Sequence, residues 1–520
     1  MKPTLRRLSA VLCLLIATPS IHAETTALEL PTIFSDGMVL QRDMPVPVWG
    51  RAQAGARVTV RFANQSVDAT ADASGTWLAK LAPLTASAAP AELAVESGDA
   101  SRVIRDVLVG EVWLCSGQSN MVWSMNNSLD GDLDALGASN PLIRLYQVDR
   151  TPAAEPRFSA KAAWSHSTPA TVRDFSAVAY HFGKALQPAL NVPIGLIQSA
   201  WGGTGAISWT RSSAFPQHPQ LMEKHQEWEG GMAKFPAKME EWNKAMNAWK
   251  KANGIAPDTQ INPQQHPTAP KPPFHDPASP HRPGSLANGM IAPVAPAALR
   301  GVIWYHGESD ANWEPTRYDE RIAVLFNDWR KWFENPSMAV GIVQLASFMP
   351  VKSEPSDDPW PHLRESQRRF VRNDPHAGLA VAIDVGETDD IHPTDKTTVG
   401  RRLARWALAD VYGKLTLRGG PELVAAEFTG GGEVKLTFSQ TGGGLRAFNG
   451  PPLLGFTLAG ADGVFHPANA EITGKNSLVV RSKAVPDPVR VRYAWQNHPA
   501  SANLRNQERL PASPFEIAKP

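Results

Sequence analysis

Four short apolar runs, each ending in a loop of glycine and polar residues, constrain this chain more than any other feature. Residues 107–114 lead into Ser116-Gly117-Gln118-Ser119-Asn120-Met121, and residues 192–199 lead into Ala200-Trp201-Gly202-Gly203-Thr204. Residues 301–305 lead into His306-Gly307-Glu308-Ser309-Asp310, and residues 379–384 precede Thr388-Asp389-Asp390-Ile391-His392-Pro393 and a helix-like stretch at 397–409. Apolar strands alternating with helical segments predict an α/β fold around a sheet of parallel strands. In such a sheet the functional loops gather at the strand C-terminal ends.

The flanks have a different texture. Val58-Thr59-Val60-Arg61-Phe62 and Ala91-Glu92-Leu93-Ala94-Val95 alternate with period two between Gly, Asp and Ser turns, as in an antiparallel sheet. The alternation returns in Glu433-Val434-Lys435-Leu436-Thr437-Phe438 and Val489-Arg490-Val491-Arg492-Tyr493. The reading is a β-sandwich module at 24–105, an α/β domain at 106–412 and a terminal β module at 413–520.

An insert at 211–283 interrupts the α/β part. Trp228, Met232, Phe235, Met239, Trp242, Met246 and Trp249 recur at steps of four and three, one face of a helix, with Pro236 marking a start or a kink. The expectation is a helix packed on the main body, with an aromatic wall over a carbohydrate cleft as the other reading. The second half, with Pro270, Pro272, Pro273, His275, His281 and Pro283, reads as an extended loop.

Residues 1–23 look like an export signal: a basic start through Arg7, an apolar run at 8–17 too short to span a bilayer, and Ile21-His22-Ala23 as the cleavage site. Cys13 follows Leu12, which disfavours lipid attachment. Its removal leaves Cys115 without a partner for an intramolecular disulfide. The expected location is the periplasm or the exterior. Lys2, Arg6 and Arg7 also leave with that segment, turning a net charge of +1 into −2, which argues against nucleic acid or an anionic membrane as partner. With 17 Trp against 6 Tyr, the composition suits flat apolar ligands such as sugar-ring faces.

A serine on a tight strand-to-helix turn, as at Ser119, can project its hydroxyl while its own N–H faces a developing oxyanion. It needs a histidine as base and an acceptor to fix that ring's tautomer, and the Asp389-Asp390-Ile391-His392 loop offers both. The same loop alone would equally suit a metal ligand pair or a solvated turn. Gly202 and Gly203 expose backbone N–H groups where a substrate oxygen can approach.

The order of the four loops resembles the block order of SGNH-type hydrolases. More closely, Gly117-Gln118-Ser119-Asn120-Met121, Trp201-Gly202-Gly203-Thr204, Trp304-Tyr305-x-Gly307-Glu308-Ser309 and Asp390-Ile391-His392-Pro393 resemble the sialate O-acetylesterase family and its relatives acting on acetylated plant polysaccharides. The opening Met38-Val39-Leu40-Gln41-Arg42 and the closing Val491-Arg492-Tyr493-Ala494-Trp495 extend the resemblance over most of the chain.

The resemblance implies an SGNH-type three-layer domain with a parallel sheet, Ser119 as nucleophile and His392 as base. The acid stands three residues before the histidine in most SGNH enzymes, here Asp389, and two before it in the sialate type, here Asp390. Block spacing favours Asp389. The implied oxyanion hole combines the Ser119 N–H, a glycine N–H from Gly203 or Gly202, and a side-chain donor. Relatives place Gln where this chain has His306, whose ring can give one hydrogen bond. Glu308 is expected to brace its loop.

The expected reaction is serine-dependent removal of O-acetyl groups from an oligosaccharide or polysaccharide, with no metal and no cofactor. Acetylated xyloglucan or xylan and O-acetylated sialic acid are the competing substrates. A sialic acid needs an arginine for its carboxylate, with Arg364 and Arg368 as candidates. The alternative class is a non-catalytic carbohydrate-binding protein.

Overall fold

The computed structural model describes residues 28–262, 265–429 and 431–520, so the leader expected at 1–23 lies outside the described residues. Seven strands build the central sheet: β1 (Ala100–Gly117), β2 (Asn140–Gln147), β3 (Trp164–Ser167), β4 (Ile194–Ala200), β5 (Gly301–Tyr305), β6 (Ala339–Val343) and β7 (Ala377–Ala380). Their order is β7-β6-β5-β1-β4-β2-β3; β3 is antiparallel and the other neighbours are parallel. Strands β4, β5, β6 and the second half of β1 are buried along their length, because helices cover both faces.

Alternation along the strands divides the core. Trp113, Cys115, Leu196, Ile303 and Val343 join one cluster with helices Ala177–Leu190 and Lys396–Trp406. Val112, Leu114, Ile197, Val302, Trp304 and Ile342 join the other with helices Tyr318–Trp332 and Pro359–Asn373. Burial pushes the Cys115 thiol far up, so it is an inert core group.

The boundary expected at 105/106 falls inside β1. The first part of this strand pairs with Ser87–Ser97 of the N-terminal module and its second part is the centre of the α/β sheet, so one continuous backbone serves both. The opening motif explains the join: Val39–Gln41 pairs parallel with Leu108–Gly110, and Arg42 and Arg300 converge on the buried Glu111 carboxylate at 2.6 and 2.8 Å. After residue 421 the chain forms two four-stranded antiparallel sheets enclosing Leu436, Phe438, Leu458, Val480, Val491 and Phe515.

The insert is a helical hairpin, Pro219–Ala233 and Phe235–Ala252, rather than one helix; Pro236 sits in the first turn of the second, where its missing N–H costs nothing. The aromatic stripe does not simply face the main body. The Trp242 indole donates to the Pro270 carbonyl at 2.9 Å, Trp228 meets Phe274 and His275 edge to face, and Trp249 meets His266. The proline-rich second half is thus a strap over the hairpin.

Candidate active site

Four of the loops read from sequence meet at the C-terminal end of the sheet. The chain order reverses around β1, flanked by β4 and β5, which opens a crevice there. Ser119 follows β1, Trp201-Gly202-Gly203 follows β4, and His306-Gly307-Glu308 follows β5. Gly117 makes the turn possible: its φ is +134°, and a Cβ there would sit 2.2 Å from the Tyr305 carbonyl oxygen, which instead accepts the Gln118 N–H at 3.0 Å. The chain then enters the short helix Ser119–Val122, whose first N–H groups have no intrahelical acceptor.

Ser119 Oγ lies 2.9 Å from His392 Nε2, and His392 Nδ1 lies 3.0 Å from Asp390 Oδ1. The carboxylate can only accept, so Nδ1 carries the proton and Nε2 is left to accept from the serine hydroxyl. The same Asp390 oxygen accepts the His392 backbone N–H at 2.8 Å, which fixes both ring and peptide. The indole of Trp123, in the turn after Ser119, stacks on the imidazole with centroids 5.0 Å apart and planes 15° off parallel.

Asp389, favoured by block spacing, is exposed and makes no hydrogen bond to the ring; Asp390 occupies that position. An aspartate two residues back can close an Asx-type turn onto the histidine N–H and reach its ring with the same oxygen.

Gly202 lies against Ser119, since a Cβ there would come within 3.1 Å of Ser119 Cβ. Gly203 has φ +75° and open space beside its Cα. Neither glycine N–H donates to an acceptor among the described residues.

His306 is not a free donor. It is fully buried, with the Trp304 ring stacked on it and the Tyr318 ring nearly parallel beside its edge, and both ring nitrogens are committed: Nε2 donates to the Thr204 carbonyl at 2.7 Å and Nδ1 accepts from the Tyr318 hydroxyl at 2.8 Å. Burial lowers its proton affinity, in keeping with a neutral ring. It therefore ties the β4 and β5 loops together instead of facing an oxyanion.

The two arginines also have other work. Arg364 is fully buried and donates to the Leu345, Ala346, Gln496 and Asn497 carbonyls at 2.7–2.8 Å, joining the α/β domain to the C-terminal module. Arg368 is paired with Glu365 on its own helix.

Sequence reasoning passed over Asn120 and Lys396. The Asn120 amide donates to Glu308 Oε1 at 2.6 Å and to the Ile391 carbonyl at 3.1 Å, and its oxygen accepts from the Lys396 ammonium. A lysine opening a helix, against the macrodipole's preference, is the signal that could have singled it out. Glu308 is half-buried, with its carboxyl pushed up by desolvation, and braces the Ser119 turn through Asn120. Among the described residues no group of three or more His, Cys, Asp or Glu is placed to hold a metal ion, and no helix is long and apolar enough to cross a membrane.

Comparison with known proteins fits this geometry. The family described as carbohydrate esterase, sialic acid-specific acetylesterase matches residues 109–248 and 285–409, the α/β domain without the second half of its insert. The human sialate O-acetylesterase is 29% identical over 418 residues, covering 74% of this chain and 71% of that protein. The mouse sialate O-acetylesterase is 28% identical over 534 residues, covering 92% of each. The crystal structure of a carbohydrate acetylesterase from Xanthomonas citri superposes with a TM-score of 0.77 at 34% identity, covering 94% of this chain and 99% of that one. The match of family, length and fold makes this chain a carboxylic ester hydrolase, and it belongs to the carbohydrate esterase family of sialic acid-specific acetylesterases.

Proposed function

We propose that this protein is an exported serine esterase of the SGNH type that removes O-acetyl groups from a glycan through an acetyl-enzyme. The observation that carries the reading is the hydrogen-bonded chain Ser119–His392–Asp390, at 2.9 and 3.0 Å, beside unpaired glycine N–H groups. His392 Nε2 takes the Ser119 proton as Oγ attacks the acetyl carbonyl carbon, and Asp390 stabilises the imidazolium that forms. The Ser119 and Gly203 N–H groups, with Gly202 beside them, hold the oxyanion. The sugar oxygen leaves with the proton from His392. Water then repeats the sequence on the acetyl-serine, releasing acetate and restoring Ser119.

Trp123 and Trp201, both half-buried beside the nucleophile, offer apolar faces for sugar rings. The arginines considered for a sialic acid carboxylate are committed elsewhere, which favours a neutral acetylated hemicellulose such as xyloglucan or xylan. The leader at 1–23 supports a periplasmic or secreted location. The test is acetate release from acetylated xyloglucan, acetylated xylan and O-acetylated sialic acid by wild type, Ser119→Ala and His392→Ala. The reading expects release from a hemicellulose above that from the sialic acid, lost in both variants. Faster release from the sialic acid would overturn the substrate assignment, and an unimpaired Ser119→Ala the mechanism.

A further inference from the structure

Lys396 is 0% exposed, yet acyl transfer by Ser119, His392 and Asp390 makes no use of it. Burying an ammonium is costly unless its surroundings repay it. Here the repayment is specific: a hydrogen bond to Asn120 Oδ1, the ring of Tyr305 at 5.2 Å and the ring of Trp123 at 5.5 Å. Each partner leads back to the reacting groups. Tyr305 holds the turn through its carbonyl, Trp123 stacks on His392, and Asn120 follows Ser119 while bonding the carbonyl of Ile391, the residue before His392.

An ammonium only donates, so it fixes which end of the Asn120 carboxamide faces it. The Nδ2 end must then point to Glu308 and to the Ile391 carbonyl. Without the cation the Asn120 oxygen loses its donor and the amide is held only at its Nδ2 end, so its grip on the His392 loop against the Ser119 turn loosens.

We propose that Lys396 is a positioning residue for this esterase, orienting Asn120 so that the peptide carrying His392 is held against the Ser119 turn. The proposal rests on the assignment of Ser119 and His392 above. The charged groups around the ammonium are Glu308 from the β5 loop, Glu387 and Asp390 from the loop after β7, and Asp395 at the helix cap; burial nevertheless lowers Lys396 to about 7. A neutral amine is a weaker donor than an ammonium, so the anchor on the Asn120 oxygen weakens as the proton leaves. The kcat of wild type should therefore fall on the alkaline side of neutrality.

The test compares wild type, Lys396→Met, Asn120→Ala and the double variant in steady-state acetate release, with Ser119→Ala as control and thermal unfolding as the check of folding. Lys396→Met should lower kcat by about 10- to 100-fold, the effect expected of a small displacement of reacting groups, with KM changed by less than about twofold. The alkaline fall should vanish in Lys396→Met, and adding Lys396→Met to Asn120→Ala should cost no further kcat. The proposal is overturned if folded Lys396→Met keeps wild-type kcat, if it keeps the alkaline fall, or if the two losses multiply. If Lys396→Met does not fold, Asn120→Ala decides: the same drop in kcat and loss of the alkaline fall support the proposal, and wild-type behaviour overturns it. Activity surviving in Ser119→Ala would instead remove the underlying assignment.

Discussion

One oxygen of Asp390 accepts from both the ring and the backbone of His392, so its carboxylate sets tautomer and loop conformation together. Replacing it by an amide that can present N–H to Nδ1 favours the wrong tautomer. Asp390→Asn should lower kcat by about 10³- to 10⁴-fold, while Asp389→Asn, on an exposed side chain without contact to the ring, should stay within a few-fold of wild type. Steady-state acetate release from both variants measures this; a larger loss in Asp389→Asn would contradict the geometry. The loops that bring Ser119 and His392 together were legible in the sequence because each follows an apolar run. The choice between Asp389 and Asp390 was not, since it depends on the backbone turn between neighbouring residues. His306 was illegible for another reason. Thr204 and Tyr318, which occupy its two nitrogens, come from separate stretches of the chain that only the fold brings to it.

Helices Ala177–Leu190 and Lys396–Trp406 cross in close contact behind the site, and the second carries Lys396. A Cβ on Gly400 would lie 2.6 Å from His181 Cβ and 2.8 Å from the Val178 carbonyl oxygen. Gly400→Ala should therefore destabilise the protein by about 1–3 kcal/mol through forced separation of the helices, seen as a lower unfolding temperature. At the same crossing His181 is buried against Thr397 Oγ1 at 3.0 Å, and desolvation lowers it to about 4. The native state then binds fewer protons than the unfolded chain between about pH 4 and the ordinary histidine value of about 6.5. Stability should rise with pH across that window and level off above it. His181→Gln should flatten the rise in pH-dependent urea denaturation, and an unchanged slope would exclude His181 as its source. The strands of the sheet were readable as apolar runs. The insert's helical face was also readable, but not its cover: periodicity shows that a face is apolar without showing that residues 266–275 of the same insert pack on it.

Across the whole molecule, buried ion and hydrogen-bond clusters fix the β modules to the esterase domain. Glu111 receives Arg42 from the N-terminal module and Arg300 from the segment before β5, and Arg364 reaches carbonyls on both sides of the C-terminal junction. These contacts give a physical role to the opening and closing motifs read from the sequence: Arg42 ends the first, and Gln496 and Asn497 directly follow the second. Arg364→Met would take a donor from four carbonyls; Ala346 keeps the Trp360 indole and Asn497 the Phe348 N–H, while Leu345 and Gln496 lose theirs, at about 1–3 kcal/mol for any that water cannot reach. The expected result is a lower unfolding temperature with faster proteolysis near residues 411–421; unchanged protease resistance would show that this junction does not depend on Arg364. The antiparallel strands of the flanks were visible as a change of period along the chain. The continuity of β1 across the first boundary was not, because the change from an exposed half to continuous burial from residue 107 reads as a domain boundary.

The most direct test of the central claim is mass spectrometry of the enzyme quenched during turnover of an acetylated glycan. The account predicts one added acetyl group on the peptide containing Ser119, accumulating further in Asp390→Asn if deacylation is slowed more than acylation, and absent from Ser119→Ala. An acetyl group on any other side chain, or turnover by Ser119→Ala, would contradict it.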